Sequence, residues 1–133
     1  MQINKVQQQQ NGCVLACISM MTNVPLEKVY DAYPEFNGEG VNTVDTVRIF
    51  NRLGYEPIQY VNPLMFPKRL YMCGVASLNN LGGLHAIVVY CKEDGAMDIY
   101  DPLDGIDGKL IYGDKEGNIK LTTYTDIIEL VCE

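Results

Sequence analysis

The sequence predicts an α+β fold, helices first and an antiparallel sheet afterwards, and three observations carry that expectation. Up to Gly54 the apolar residues recur at helical spacing. Beyond Gly54 the period shortens, and β-branched and aromatic residues become frequent. Clusters of Gly, Asn and Asp then punctuate the chain at short intervals, as they do between hairpin strands. At 133 residues the chain has the length of one domain, read here as a helical half over 1–54 and a sheet half over 55–133.

Each element has a local reason. Val14, Cys17, Ile18 and Met21 fall on one helical face, so a first helix is expected over Cys13–Thr22, with Asn11 in place to cap it. Pro25 closes it and suits the first turn of a second helix. Leu26, Val29, Tyr30 and Tyr33 make that helix's stripe, stopped by Pro34. Asn42 with Asp45 reads as a capping signal. Val44, Val47, Phe50 and Leu53 supply a third amphipathic face, ended by Gly54. Strands are expected over Tyr55–Val61, Tyr71–Leu78, Leu84–Cys91 and Ala96–Tyr100, with further ones near Lys109–Tyr112, Ile119–Thr123 and Ile127–Cys132.

Composition limits the chemistry. With 10 Lys+Arg against 17 Asp+Glu the formal net charge is −7, which argues against a general nucleic-acid or acidic-membrane surface. A single His excludes the two-histidine zinc motif and bis-histidine haem. Five Cys, an odd number, suit free thiols in a reducing compartment. The longest apolar runs, such as Ala86–Tyr90, are far short of the ~20 residues that span a bilayer. Met1–Val6 lacks the apolar core of a secretory signal, so a cytoplasmic location is expected. Asp101, Asp104 and Asp107 read as turn residues, because their spacing does not fit a calcium loop. No metal and no cofactor is expected.

Three residues draw attention. Cys13 opens the first expected helix, where unpaired N–H groups and the positive dipole end favour a thiolate. A buried, inert cysteine is the competing reading. Cys17, Cys73, Cys91 and Cys132 read as packing residues. His85, the one imidazole, begins a strand after Gly82-Gly83-Leu84; a satisfied buried histidine competes there. Asp101 ends the next strand, where an ordinary Asp-Pro turn competes. If Glu93-Asp94-Gly95 is a three-residue hairpin loop, Lys92 pairs with Ala96 and Ile87 with Asp101. His85 and Asp101 then share a face as diagonal neighbours, ~7–8 Å apart. Asp98 falls on the opposite face. Together the three make a thiol, a base and a carboxylate that orients the base. An amide six positions before the thiol, Gln7, can donate to a developing oxyanion.

These residues resemble the papain-like cysteine peptidases. The resemblance runs through Gln7 and Cys13 with Ala16-Cys17, then Gly82-Gly83-Leu84-His85-Ala86-Ile87-Val88-Val89, then Asp98-Ile99-Tyr100-Asp101-Pro102. It is closest to the bacteriocin-processing branch, the double-glycine leader peptidases, here as a stand-alone domain, and covers about residues 5 to 102. It departs at Gly12, where an acidic or amide residue usually precedes the Cys, and at Val14, where Gly often follows. The resemblance implies a papain-like fold and a thiol peptidase acting on a peptide or isopeptide amide. It assigns Cys13 as nucleophile, His85 as base, Asp101 as orienter and Gln7 as oxyanion donor, with neighbouring Gln8, Gln9 and Gln10 leaving the register open. A deamidase or acyltransferase would use the same residues, and a non-catalytic peptide- or protein-binding module or inhibitor could keep the fold. The expected partner is a peptide or protein substrate, with no nucleic acid and no membrane segment.

Overall fold

A computed structural model describes residues 3, 6–9, 11–60, 66–76, 84–100, 102 and 127–131. Within them three helices, α1 (Cys13–Thr22), α2 (Leu26–Asp31) and α3 (Thr43–Arg52), precede a five-stranded sheet. The strands are β1 (Ile58–Tyr60), β2 (Arg69–Ala76), β3 (Leu84–Cys91), β4 (Met97–Tyr100) and β5 (Ile127–Val131). The sheet order is β1-β5-β2-β3-β4, and every pairing is antiparallel. The expected strands near Lys109–Tyr112 and Ile119–Thr123 lie outside the described residues.

The helix α1 carries no charged residue, and Leu15 through Thr22 are all buried. A helix apolar on all sides belongs inside the protein rather than on its surface. It packs on the sheet face that presents Leu70, Met72, Ala86 and Val88, with Val29 of α2 and Ile49 and Phe50 of α3 in the same cluster. Its polar side chains turn back on the backbone: Thr22 Oγ1 donates to the Ile18 carbonyl at 2.7 Å and Ser19 Oγ to the Val24 carbonyl at 2.6 Å. Asn23, left-handed at φ 59°, ends it.

Three local expectations are corrected. Asn11 does not cap α1. It is left-handed at φ 57°, and its Nδ2 donates to the Gly38 carbonyl at 2.7 Å, so Gly12 takes the cap position without a capping side chain. Helix α2 stops at Asp31 rather than reaching Tyr33; Ala32 N–H closes the last turn on the Lys28 and Val29 carbonyls. In α3 the cap is as expected, with Asn42 Oδ1 accepting from Asp45 N–H at 2.8 Å. Its buried face, however, runs through Thr46, Ile49 and Phe50, and Val44 is 69% exposed. Thr46 can turn inward because its hydroxyl donates to the Asn42 carbonyl at 2.8 Å.

The opposite face of the sheet is also dry. Tyr71, Ile87, Val89 and Glu129 are each 0% exposed. Tyr71 pairs with both Glu129 and Val89, which puts a carboxylate into an apolar row. Arg69 answers it, with Nη1 2.7 Å from Glu129 Oε1 and its guanidinium stacked over Phe66 at 5.2 Å. Removing one partner of such a pair strands the other charge without solvent. Arg69→Ala is therefore expected to lower the unfolding free energy by about 3 kcal/mol, while an Arg69→Met, Glu129→Leu double variant recovers most of it. Urea unfolding checks this; equal stability of Arg69→Ala and wild type would refute the role given to the pair.

Candidate active site

Four parts of the chain converge at one end of the sheet. Helix α1 begins there with Cys13, β3 begins there with Leu84 and His85, and β4 ends there before Pro102. The N-terminal segment joins them. Gln8 N–H donates to the Pro102 carbonyl at 2.9 Å, and Gly12 N–H to the Gln9 carbonyl at 2.9 Å. These two bonds hold the glutamines between the end of β4 and the start of α1.

Cys13 is the first residue of α1 and only half-buried, unlike Cys17, Cys73 and Cys91. Its thiol is in hydrogen-bond contact with the His85 side chain, and the backbones of Ala86 and Val14 also bond to it. The electrostatic outcome separates this thiol from two others. Burial raises the Cys13 pKa, but the His85 hydrogen bond, the two backbone bonds and the His85 charge outweigh it, and the net shift is downward. Burial pushes Cys91 up to about 11, helped by the Glu129 charge, and drives Cys73 upward as well. Depth alone makes a cysteine inert; contact with the imidazole reverses the sign.

His85 is buried at 5% exposure. As the second residue of β3 it pairs with Val75 of β2, and its ring meets the thiol at the strand's end. The following residue, Ala86, packs toward α1 in the core. The strand thus supplies the imidazole and, one residue later, a backbone contact to the same sulfur.

The hairpin from β3 to β4 has the loop that the sequence predicts. Gly95 is left-handed at φ 87°, its N–H donates to the Lys92 carbonyl at 3.1 Å, and Lys92 N–H donates to the Ala96 carbonyl at 2.8 Å. The register continues as Cys91 with Met97 through Val88 with Tyr100. Asp98 pairs with Tyr90, on the face away from His85, and forms an ion pair with Lys92 at 3.1 Å. Asp101 itself, with its pairing to Ile87, lies outside the described residues, as do Gly82, Gly83, Gln10 and Cys132.

The glutamines divide. Gln7 is exposed. Gln8 is half-buried: its Nε2 donates to the Gln9 carbonyl at 3.3 Å, and its Oε1 is buried without a hydrogen-bond partner among the described residues. Sequence reasoning had no means of separating four identical side chains in a row. It also gave Tyr30 only a packing role on the α2 stripe, whereas the Tyr30 hydroxyl reaches the start of α1. A β-carbon placed on Gly12 would overlap it.

No protein-family model matches the sequence, and no curated protein matches it. Among the described residues no helix is long and apolar enough to cross a membrane. Among solved structures the chain is similar to the peptidase domain of Streptococcus ComA, a bi-functional ABC transporter involved in a quorum-sensing pathway. The TM-score is 0.66 at 17% identity, over 98% of this chain and 100% of that domain. The expected α+β, papain-like architecture is therefore the fold of this protein, shared over its length with that peptidase domain.

Proposed function

We propose that the protein is a thiol-dependent peptidase that cleaves a peptide or isopeptide amide. The observation that carries this reading is the Cys13–His85 contact at the open end of α1, with its lowered thiol pKa. A fold shared with a peptidase domain supports a peptide as the substrate class.

In this reading His85 takes the Cys13 proton, and Sγ attacks the amide carbonyl carbon. The tetrahedral oxyanion collapses to a thioester as the C–N bond breaks, and the imidazolium protonates the leaving amine. Water, deprotonated by His85, attacks the thioester; the acid leaves and the thiol is restored. Asp101 is assigned to fix the ring tautomer and stabilise the imidazolium. The oxyanion donor is assigned to Gln7, with the Cys13 backbone N–H as the second donor. Gln8 is the weaker candidate because its Nε2 is already engaged with the Gln9 carbonyl. The net charge of −7 favours neutral or basic substrate segments.

Two outcomes are expected. In wild type, iodoacetamide labels Cys13 faster than the buried Cys17, Cys73 and Cys91 at about pH 6–7. In His85→Ala the largest lowering contribution is gone while burial remains, so the Cys13 pKa rises and labelling at that pH slows. Peptide mapping of the alkylated protein reads both. Labelling of Cys13 no faster than the rest, together with unchanged function in Cys13→Ala, refutes the enzyme and leaves a binding module. For the donor, Gln7→Ala is expected to lower kcat by about 10²-fold on a cleaved reporter peptide. Gln8→Ala is expected to leave kcat within a few fold. The reverse order would move the donor to Gln8.

A further inference from the structure

The cap of α1 has no side chain. Gly12 occupies it with an ordinary φ of −102°, so nothing in the backbone requires glycine there. What requires it is space. A β-carbon on Gly12 would collide with the Tyr30 hydroxyl and press on the Gln9 carbonyl at 3.2 Å. The Tyr30 ring comes from α2, packs against the core cluster and sits edge-on to Phe36, with centroids 5.5 Å apart at 76°. Its oxygen is buried and has no hydrogen-bond partner among the described residues. A buried hydroxyl left without a partner costs about 1–3 kcal/mol, so its position at the head of α1 needs a reason.

We propose that Tyr30 is a positioning residue for Cys13: its hydroxyl fills the space of the missing position-12 side chain and becomes a hydrogen-bond donor to the thiolate. The inference rests on the peptidase reading and adds to it a group that works on the nucleophile. Cys13 surrenders its proton to His85, and Tyr30 keeps its own. Burial, and then the Cys13 charge, hold the Tyr30 pKa above its ordinary value, so the phenol retains the hydrogen it donates. Among the described residues the His85 ring from β3 acts on Cys13, and the Cys13 charge in turn acts on Tyr30 from α2. The hydroxyl is idle while the thiol is neutral and gains its partner when the thiolate forms, so its contribution goes to the reactive state rather than the resting one.

The test compares wild type with Tyr30→Phe, Gly12→Ala and the double variant, measuring iodoacetamide alkylation of Cys13 from about pH 5 to 9. Circular dichroism verifies the fold. Tyr30→Phe keeps the ring and removes only the oxygen; its reactivity midpoint is expected to move up, slowing alkylation at pH 6 about three- to tenfold. Gly12→Ala displaces the hydroxyl from the other side and should give the same shift. The double variant should show no further loss, because both changes remove one interaction. A folded Tyr30→Phe or Gly12→Ala protein with the wild-type pH profile overturns the proposal, and Gly12→Ala decides the matter if Tyr30→Phe does not fold. A wild-type protein whose Cys13 titrates as an ordinary thiol overturns the peptidase reading instead, so the two failures are distinguishable.

Discussion

The burial of one uncharged helix is the constraint on which the rest depends. Helix α1 has no surface face to offer, so α2, α3 and the sheet must all close around it. That enclosure fixes its axis, and with it the half-buried Cys13 at the N-terminal end. A thiol on a loop would need its own supports. Here the same apolar contacts that hold the core also aim the sulfur, and the helix end adds its unpaired N–H groups and dipole to the electrostatics of the thiol.

The second support comes from the sheet. Strand β3 is interior, flanked by β2 and β4, and its start is held by pairing with the end of β2. His85 and Ala86 therefore meet α1 from a stiff element. The contrast among the cysteines shows how little separates a raised thiol pKa from a lowered one. Cys73 and Cys91 lie on the same sheet at comparable or greater depth, and burial with nearby negative charge drives their pKa values up. Cys13 has burial too, but meets an imidazole in place of a carboxylate.

Much of this was legible in the residues. The bounds of α1 and β3 coincide with those the pattern predicts, because both are short uninterrupted apolar segments with sharp turn signals at their ends. The loop at Glu93-Asp94-Gly95 was legible because only a glycine readily takes the left-handed position that a three-residue hairpin needs. Other features were not. Asn11 had the chemistry of a cap, yet a tertiary partner, the Gly38 carbonyl, claimed its side chain. Val44 fitted a helical stripe, but the stripe one step round, through Thr46 and Ile49, faces the core. Tyr30 lay on its expected face; what no spacing reveals is how far a ring reaches, and this one ends over Gly12.

The hydrogen bond from Gln8 to Pro102 has a consequence for biosynthesis. A ribosome delivers Cys13 long before His85 and the segment ending at Pro102. Until those arrive, the helix end has neither its imidazole nor the clamp on its N-terminal approach. The nascent chain therefore lacks the contacts that lower the Cys13 pKa, and they form only when later-synthesised strands reach this segment.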